Sequence, residues 1–419
     1  MSMSRAVLHA SPLALLALAG LAGCQSSERT AGDPAQVAGR YILSLGDADM
    51  NATSFVTGEL GPIDPEVGDH LTILPLPIAR PPSPEAERWQ SGYAQVPASN
   101  SAMGAPMQIA VSADGTRAFV TETYGPAPQG ALKLDDLPPG RTLTVIDLSD
   151  PAMPRVVETV DLVVQPASIS LHPAGDLLAV ATKSPNEQIV LVPVAAGGDD
   201  QPAGQPMAWP LVGLDDSEAA ASTAVWSPSG DVLAVTLPQR DEVMFYEFRR
   251  EAPLAEGGVG MGLAPIGGPV RVGKFPFSGL WTPDGNHFIT TDLQWGPDVE
   301  NFIVAASEGT LSVIRVARPA GDDSGADGEG GSDGMFQPVG PAHEVVSTVT
   351  VGVNPEGLAI SPDGRYVVTA NLRHSFLPEE DERLTRGGSV SLLRLDRDGR
   401  LEPVGEYDLD GMPEGIAFD

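Results

Sequence analysis

A single cysteine, Cys24, occurs in 419 residues. That excludes a disulfide framework and a cysteine-built zinc site, both of which need further thiols. Basic residues are also scarce, with 24 Lys and Arg against 56 Asp and Glu and a formal net charge of −32. The acidic excess is spread along the chain in local clusters. No Lys/Arg patch is available to displace phosphate counterions, which argues against nucleic acid as a partner. Most of the carboxylates read as solvated charge that keeps the surface soluble and attracts cations nonspecifically. Absent too are a G-x-S-x-G nucleophile elbow, a P-loop and a dinucleotide fingerprint, and nothing supports a redox cofactor.

What is present begins with a leader. Arg5 stands ahead of an apolar stretch from Leu13 to Leu21, too short for a comfortable membrane span but laid out as a secretion signal. It is followed by Leu21-Ala22-Gly23-Cys24, which resembles the lipobox of bacterial lipoproteins. The resemblance implies that residues 1–23 are a signal peptide, that Cys24 is lipidated, and that the acyl chains hold the mature protein on a bacterial membrane. Gln25 and Ser26 follow the cysteine where an Asp would signal inner-membrane retention, so an outer-membrane destination is favoured if the host has one. An ordinary secretion signal that contains a cysteine is the alternative. Residues 24–37 are polar, without apolar period, and read as the lipidated Cys and a flexible tether.

From residue 38 the chain repeats. Gly (47) and Pro (40) are frequent enough for many turns, and 42% hydrophobic residues supply a core. One phrase recurs: an apolar strand, a turn of the type Ser/Thr-Pro-Asp-Gly, and a second apolar strand. The copies are PMQIAVSADGTRAFVTET from Pro106, PASISLHPAGDLLAVAT from Pro166, STAVWSPSGDVLAVTL from Ser222, PFSGLWTPDGNHFITTD from Pro276 and PEGLAISPDGRYVVTAN from Pro355. Their turn glycines are Gly115, Gly175, Gly230, Gly285 and Gly364. Asp-Gly between apolar runs is a hairpin signal, because Gly accepts the positive φ of a tight turn. A third strand follows each hairpin, as in TLTVIDL from Thr142 or SVSLLRL from Ser389, and then a weaker fourth, as in RVVETVDL from Arg155.

Four antiparallel strands per repeat make one blade of an all-β propeller. The C-terminal MPEGIAFD from Met412 is a lone first strand, and AGRYILSL from Ala38, DHLTILPLP from Asp69 and GYAQVPAS from Gly92 supply the second to fourth. A single propeller over residues 38–419 is therefore expected, with six blades, the last closed by strands from both termini so that no sheet edge stays free. Seven blades, with a degenerate one near residues 240–276, or an open array are the alternatives. The phrase PEGLAISPDGRYVVTAN resembles the repeat of YVTN-type bacterial β-propellers, and TLTVIDLSDPAMPRVVETV resembles the LVIVD-type repeat of extracytoplasmic propellers. The likeness spans about residues 38–419 and implies the fold; these families mix binding proteins with lactonase-like members, so it implies no single activity.

Counting from the turn glycines isolates two rings at one propeller face. The start of each first strand supplies Met107, Ala167, Ser222, Phe277, Glu356 and, by its matching PEG, Glu414; the end of each second strand supplies Gly46, Glu122, Thr182, Leu237, Asp292 and Asn371. Glu356, Glu414, Asn371 and Asp292 fall on adjacent blades. Their oxygens suit Ca²⁺ or another divalent cation, or else bond neighbouring backbone and water. The set is similar to the oxygen ligands of SMP-30/gluconolactonase-type propellers, which implies metal-assisted hydrolysis of a lactone. His374 in NLRHSF would then be the base, with Arg373 beside it as an anion clamp. Trp295 in LQWGPD and Glu122 are further candidates for ligand contact. The acidic segment RPAGDDSGADGEGGSDG from Arg318 lacks the ligand pattern of a calcium hand and reads as a solvated loop.

Two functions follow as expectations. One is a lipid-anchored extracytoplasmic scaffold that binds an envelope protein, a glycan or a small molecule. The other is a divalent-metal-dependent, lactonase-like hydrolase at the channel mouth.

Overall fold

The computed structural model describes residues 40–410, apart from 49, 51–53, 62–66, 77–92, 101–106, 196–202, 212–218, 254–258, 296–306, 318–341, 376, 378 and 380. The leader, Cys24, the tether, the acidic segment after Arg318 and the C-terminal strand from Met412 lie outside the described residues.

Each recurring phrase folds as an antiparallel hairpin, and the hairpins extend into six consecutive sheets. The first blade contains β1 (Tyr41–Gly46), β2 (His70–Pro75) and β3 (Ala94–Pro97). The second contains β4 (Ile109–Val111), β5 (Arg117–Thr121), β6 (Thr142–Asp147) and β7 (Arg155–Asp161). The third runs through β8 (Pro166–Leu171), β9 (Leu177–Thr182), β10 (Ile189–Pro193) and β11 (Met207–Trp209). The fourth is β12 (Thr223–Trp226), β13 (Val232–Leu237), β14 (Glu242–Pro253) and β15 (Val259–Pro265), with β16 (Val270–Arg271) also paired to β14. The fifth is β17 (Pro276–Trp281), β18 (His287–Asp292), β19 (Glu308–Arg315) and β20 (Glu344–Val353). The sixth is β21 (Pro355–Ile360), β22 (Tyr366–Asn371), β23 (Ser389–Leu395) and β24 (Leu401–Asp408). The chain is a six-bladed β-propeller. The stretch considered for a seventh blade belongs to the fourth, as the long β14–β15 hairpin and the short β16.

The turns form for a local reason. In the second blade the Asp114 carboxylate accepts bonds from Ser112 Oγ and the Thr116 amide, Ser112 Oγ accepts from the Arg117 amide, and Gly115 takes φ +66°. Ser361, Asp363 and Gly364 repeat the arrangement in the sixth. Side chains thus satisfy amides that the hairpin ladder cannot reach.

Blade-to-blade packing explains the apolar runs. Strands β9, β13 and β18 are buried along their whole length, so they read as continuous apolar segments and not as alternation. Their two faces nonetheless serve different interfaces. Leu178 and Val180 pack toward the second blade with Phe119 and Val145, whereas Leu177 and Ala179 pack toward the fourth with Trp226 and Leu233. Successive inner strands are also hydrogen-bonded: Ser170 Oγ donates to the Ala224 carbonyl, Ser278 Oγ to that of Glu356, and Trp281 Nε1 to that of Val225 at 3.0 Å. Trp281→Phe removes this bond between blades and part of the buried ring system, while the Val225 carbonyl keeps its ladder partner Ala234. A loss of about 1–2 kcal/mol in a urea melt is the expected result.

Candidate functional site

The counted rings fall where the repeat places them. Gly46, Thr182, Leu237, Asp292 and Asn371 end the second strands of their blades, and Glu122 directly follows β5. The first-strand positions have a feature not visible in the sequence. Ladder register shifts between Pro166 and Ser168, between Pro276 and Ser278, and between Pro355 and Gly357. Ala167, Phe277 and Glu356 are therefore the extra residues of β-bulges, a device that re-aims a side chain at a sheet rim.

Asp292 and Asn371 occupy matching boxes within their own blades. Asp292 is fully buried; its Oδ1 accepts from Thr290 Oγ1 at 2.7 Å, and its Oδ2 accepts from Thr310 Oγ1 at 3.0 Å and Ser312 Oγ at 2.6 Å. Asn371 donates from Nδ2 to Ser389 Oγ at 3.0 Å and Ser391 Oγ at 2.9 Å. Each lies against a glycine, Gly273 or Gly352, where a Cβ would come within 2.5 Å and 2.6 Å respectively of the boxed side chain. Burial pushes the Asp292 carboxyl up to about 6 against the lowering effect of its hydroxyl donors.

Both Asp292 oxygens are committed to hydroxyls, and Glu414 lies outside the described residues. Among the described residues no group of three or more His, Cys, Asp or Glu is placed to hold a metal. Among the described residues, Asn371 Oδ1 is buried with no hydrogen-bond partner.

The other channel-mouth candidates are held by neighbours. Arg373 pairs through Nη2 with Glu406 at 2.9 Å and Asp408 at 2.6 Å, both on β24. Trp295 donates from Nε1 to Asn354 Oδ1 at 3.0 Å and packs on Phe275 with ring centroids 4.8 Å apart. Asn354 also donates to the Arg373 carbonyl, so it ties the Trp295 loop to the Arg373 loop. The His374 amide donates to Thr385 Oγ1.

Glu122 stands elsewhere, in a cavity of about 1160 Å³ between the first two blades. One wall is the long segment joining β5 to β6. It is pinned to the first blade by bonds from the Leu60 amide to the Leu132 carbonyl and from the Leu134 amide to the Gly58 carbonyl. Asp69 and residues 97–99 form the opposite side, and Thr144 and Val156 of the second blade also line the space. Asp69 accepts the amides of Ala48 and Asn100. Glu122 is 7% exposed, and its Oε2 accepts the Arg141 amide at 3.0 Å. Gly140 is required there, because a Cβ would lie 2.0 Å from the Glu122 carbonyl oxygen. Counting from turn glycines singles out Glu122 but misses Asp69 and the cavity. The available signal was the long interval between the second and third strands of this blade.

No family model matches the chain, and no curated protein does. Solved structures resemble it in fold. A candidate 6-phosphogluconolactonase from Bacteroides fragilis shares 15% identity over 90% of this chain and 84% of that chain, with a TM-score of 0.49. The periplasmic gluconolactonase of Pseudomonas aeruginosa shares 15% over 90% and 98%, with a TM-score of 0.42. Hydrazine synthase of Kuenenia stuttgartiensis shares 15% over 88% and 87%, with a TM-score of 0.46.

Proposed function

We propose that the chain is an extracytoplasmic binding propeller, anchored to a bacterial membrane through lipidated Cys24, that takes a small-molecule ligand between its first two blades. The cavity carries this reading. It is large, concave and mostly apolar, with a few polar groups to orient a ligand, which is the usual make-up of a small-molecule site. The tether would leave the propeller standing off the membrane with its loops accessible. An envelope protein or a glycan remains compatible with the same scaffold.

The alternative is a divalent-metal-dependent lactonase at the channel mouth. Two observations favour it: Glu356 projects from a bulge, and Asn371 Oδ1 is buried without a partner among the described residues. Against it stands Asp292, whose carboxylate already serves three hydroxyls. The two readings separate in a pH-stat assay of the full chain on glucono-δ-lactone, with and without Ca²⁺. No hydrolysis above buffer is expected. Ca²⁺-dependent turnover that Glu356→Gln abolishes would replace the binding reading with the lactonase.

A further inference from the structure

We propose that the end of the propeller carrying the hairpin turns is an acid-released latch, in which one neutral histidine closes each of three consecutive seams: between the third and fourth, the fourth and fifth, and the fifth and sixth blades. The latch is separate from the ligand cavity, which lies between the first two blades.

All three histidines stand at one end of the blades. His172 and His287 flank the hairpin turns of the third and fifth blades, and His343 directly precedes β20. Arg315 pairs with both His287 and Glu344 in the ladder, which brings the β19–β20 connection back to the same end. Each side chain crosses a seam. His172 Nε2 bonds the Gly230 carbonyl of the fourth blade at 3.0 Å, and its ring meets Trp226 edge-on at 5.0 Å. His343 Nε2 reaches the Ile266 carbonyl, next after β15, at 2.6 Å, and its ring packs on Phe245 of the fourth blade at 4.5 Å. His287 lies against Gly399 of the sixth blade, where a Cβ would come within 2.7 Å of Nε2.

Donor and acceptor roles fix the protonation state. A carbonyl only accepts, so Nε2 of His172 and of His343 carries the proton. A backbone amide only donates, so Nδ1 must be an unprotonated acceptor where it receives the Ala174 amide at 3.0 Å in His172 and the Ala317 amide at 3.1 Å in His343. A second proton would displace those amides. His287 is constrained by another route: it is buried, and its Nε2 has no hydrogen-bond partner among the described residues, so an imidazolium there would leave an N–H unanswered.

The charged neighbours are mixed in sign. Asp176 opposes Arg250 at His172, and Asp284, Asp396 and Asp398 oppose Arg315 at His287; among the described residues no charged side chain acts on His343. Burial outweighs them and holds all three below the ordinary histidine value of about 6.5. An opened seam therefore takes up protons that the closed seam refuses. Closure is at full strength above about pH 6.5 and is lost as pH falls through the lowered native values.

Amide hydrogen exchange of the full chain, read by mass spectrometry at pH 7 and pH 5 with times scaled for intrinsic exchange, tests the latch. At pH 5 the segments around Gly230, Ala317 and Gly399 should exchange roughly tenfold faster, while the first two blades stay unchanged. The triple variant His172→Gln, His287→Leu, His343→Gln cannot titrate at the seams and should lose the difference. Leucine suits the position of His287 because Leu177 and Val232 open the second strands of the third and fourth blades. Equal protection at the two pH values, loosening spread over all six blades, or loosening that survives in the variant would overturn the proposal. Should the variant not fold, imidazole ¹⁵N NMR of the wild type decides. His172 and His343 should be Nε2–H tautomers that titrate below the ordinary value, and titration at or above it would overturn the latch.

Discussion

Asp292→Asn is expected to raise stability at pH 7 by about 3 kcal/mol and to flatten the pH dependence between roughly pH 4 and 6. The reason is the direction of the shift. Burial raises the folded carboxyl to about 6, whereas in the unfolded chain it sits near the ordinary Asp value of about 3.9. Between those values the unfolded chain has already released the proton that the native state still holds. Stability therefore falls as pH rises through the window, and above it the cost of the buried charge is fully present. The sixth blade shows that an amide suits the box, since Asn371 sits in the equivalent place between Ser389 and Ser391. Burial lowers the pKa of His172, His287 and His343, which makes stability rise with pH nearby. Both proteins share those histidines, so the difference between their urea-melt curves at pH 4.5 and 7 isolates Asp292. Identical curves would refute this account. Asp292→Ala should weaken the fold at both pH values, because three hydroxyls lose their acceptor.

Phe288→Ala is expected to cost about 3–5 kcal/mol, the range for a fully buried aromatic whose cavity cannot collapse. Phe288 is completely buried, with ring centroids 5.4 Å from Trp281 and 5.8 Å from Phe245. It also lies against Gly279, where a Cβ would come within 2.3 Å of the ring. Phe245 belongs to the fourth blade and Phe288 to the fifth, so the substitution opens a seam between blades. Chemical denaturation provides the measurement, and a loss below about 1 kcal/mol would show that the seam repacks.

The repeat was legible because its chemistry is local. Gly115, Gly175, Gly230, Gly285 and Gly364 all adopt positive φ, and each anchors a hairpin in the expected register. Even the dispersed first blade was readable: His70–Pro75 and Ala94–Pro97 fall within the segments read from its patterning, and Tyr41–Gly46 runs one residue past the segment from Ala38. Side-chain direction was not legible. Asp292 and Glu356 both sit at the same propeller face by counting. Yet one turns into its own sheet toward Ser312, and the other rides on a bulge that no local pattern announces. The cavity was hidden for a different reason: it depends on a pairing of residues 58–60 with residues 132–134, far apart in the chain.

The bulges also separate two tasks that most strands combine. A ladder residue must suit its cross-strand partner, whereas Ala167, Phe277 and Glu356 have no such partner of their own. The third, fifth and sixth repeats accordingly tolerate a methyl group, an aromatic ring and a carboxylate at one structural position. The rim is thus an interchangeable panel mounted on a fixed frame. A library varied at these three residues should change what the rim recognises while the blades fold as before, so the scaffold is a natural starting point for making new receptors.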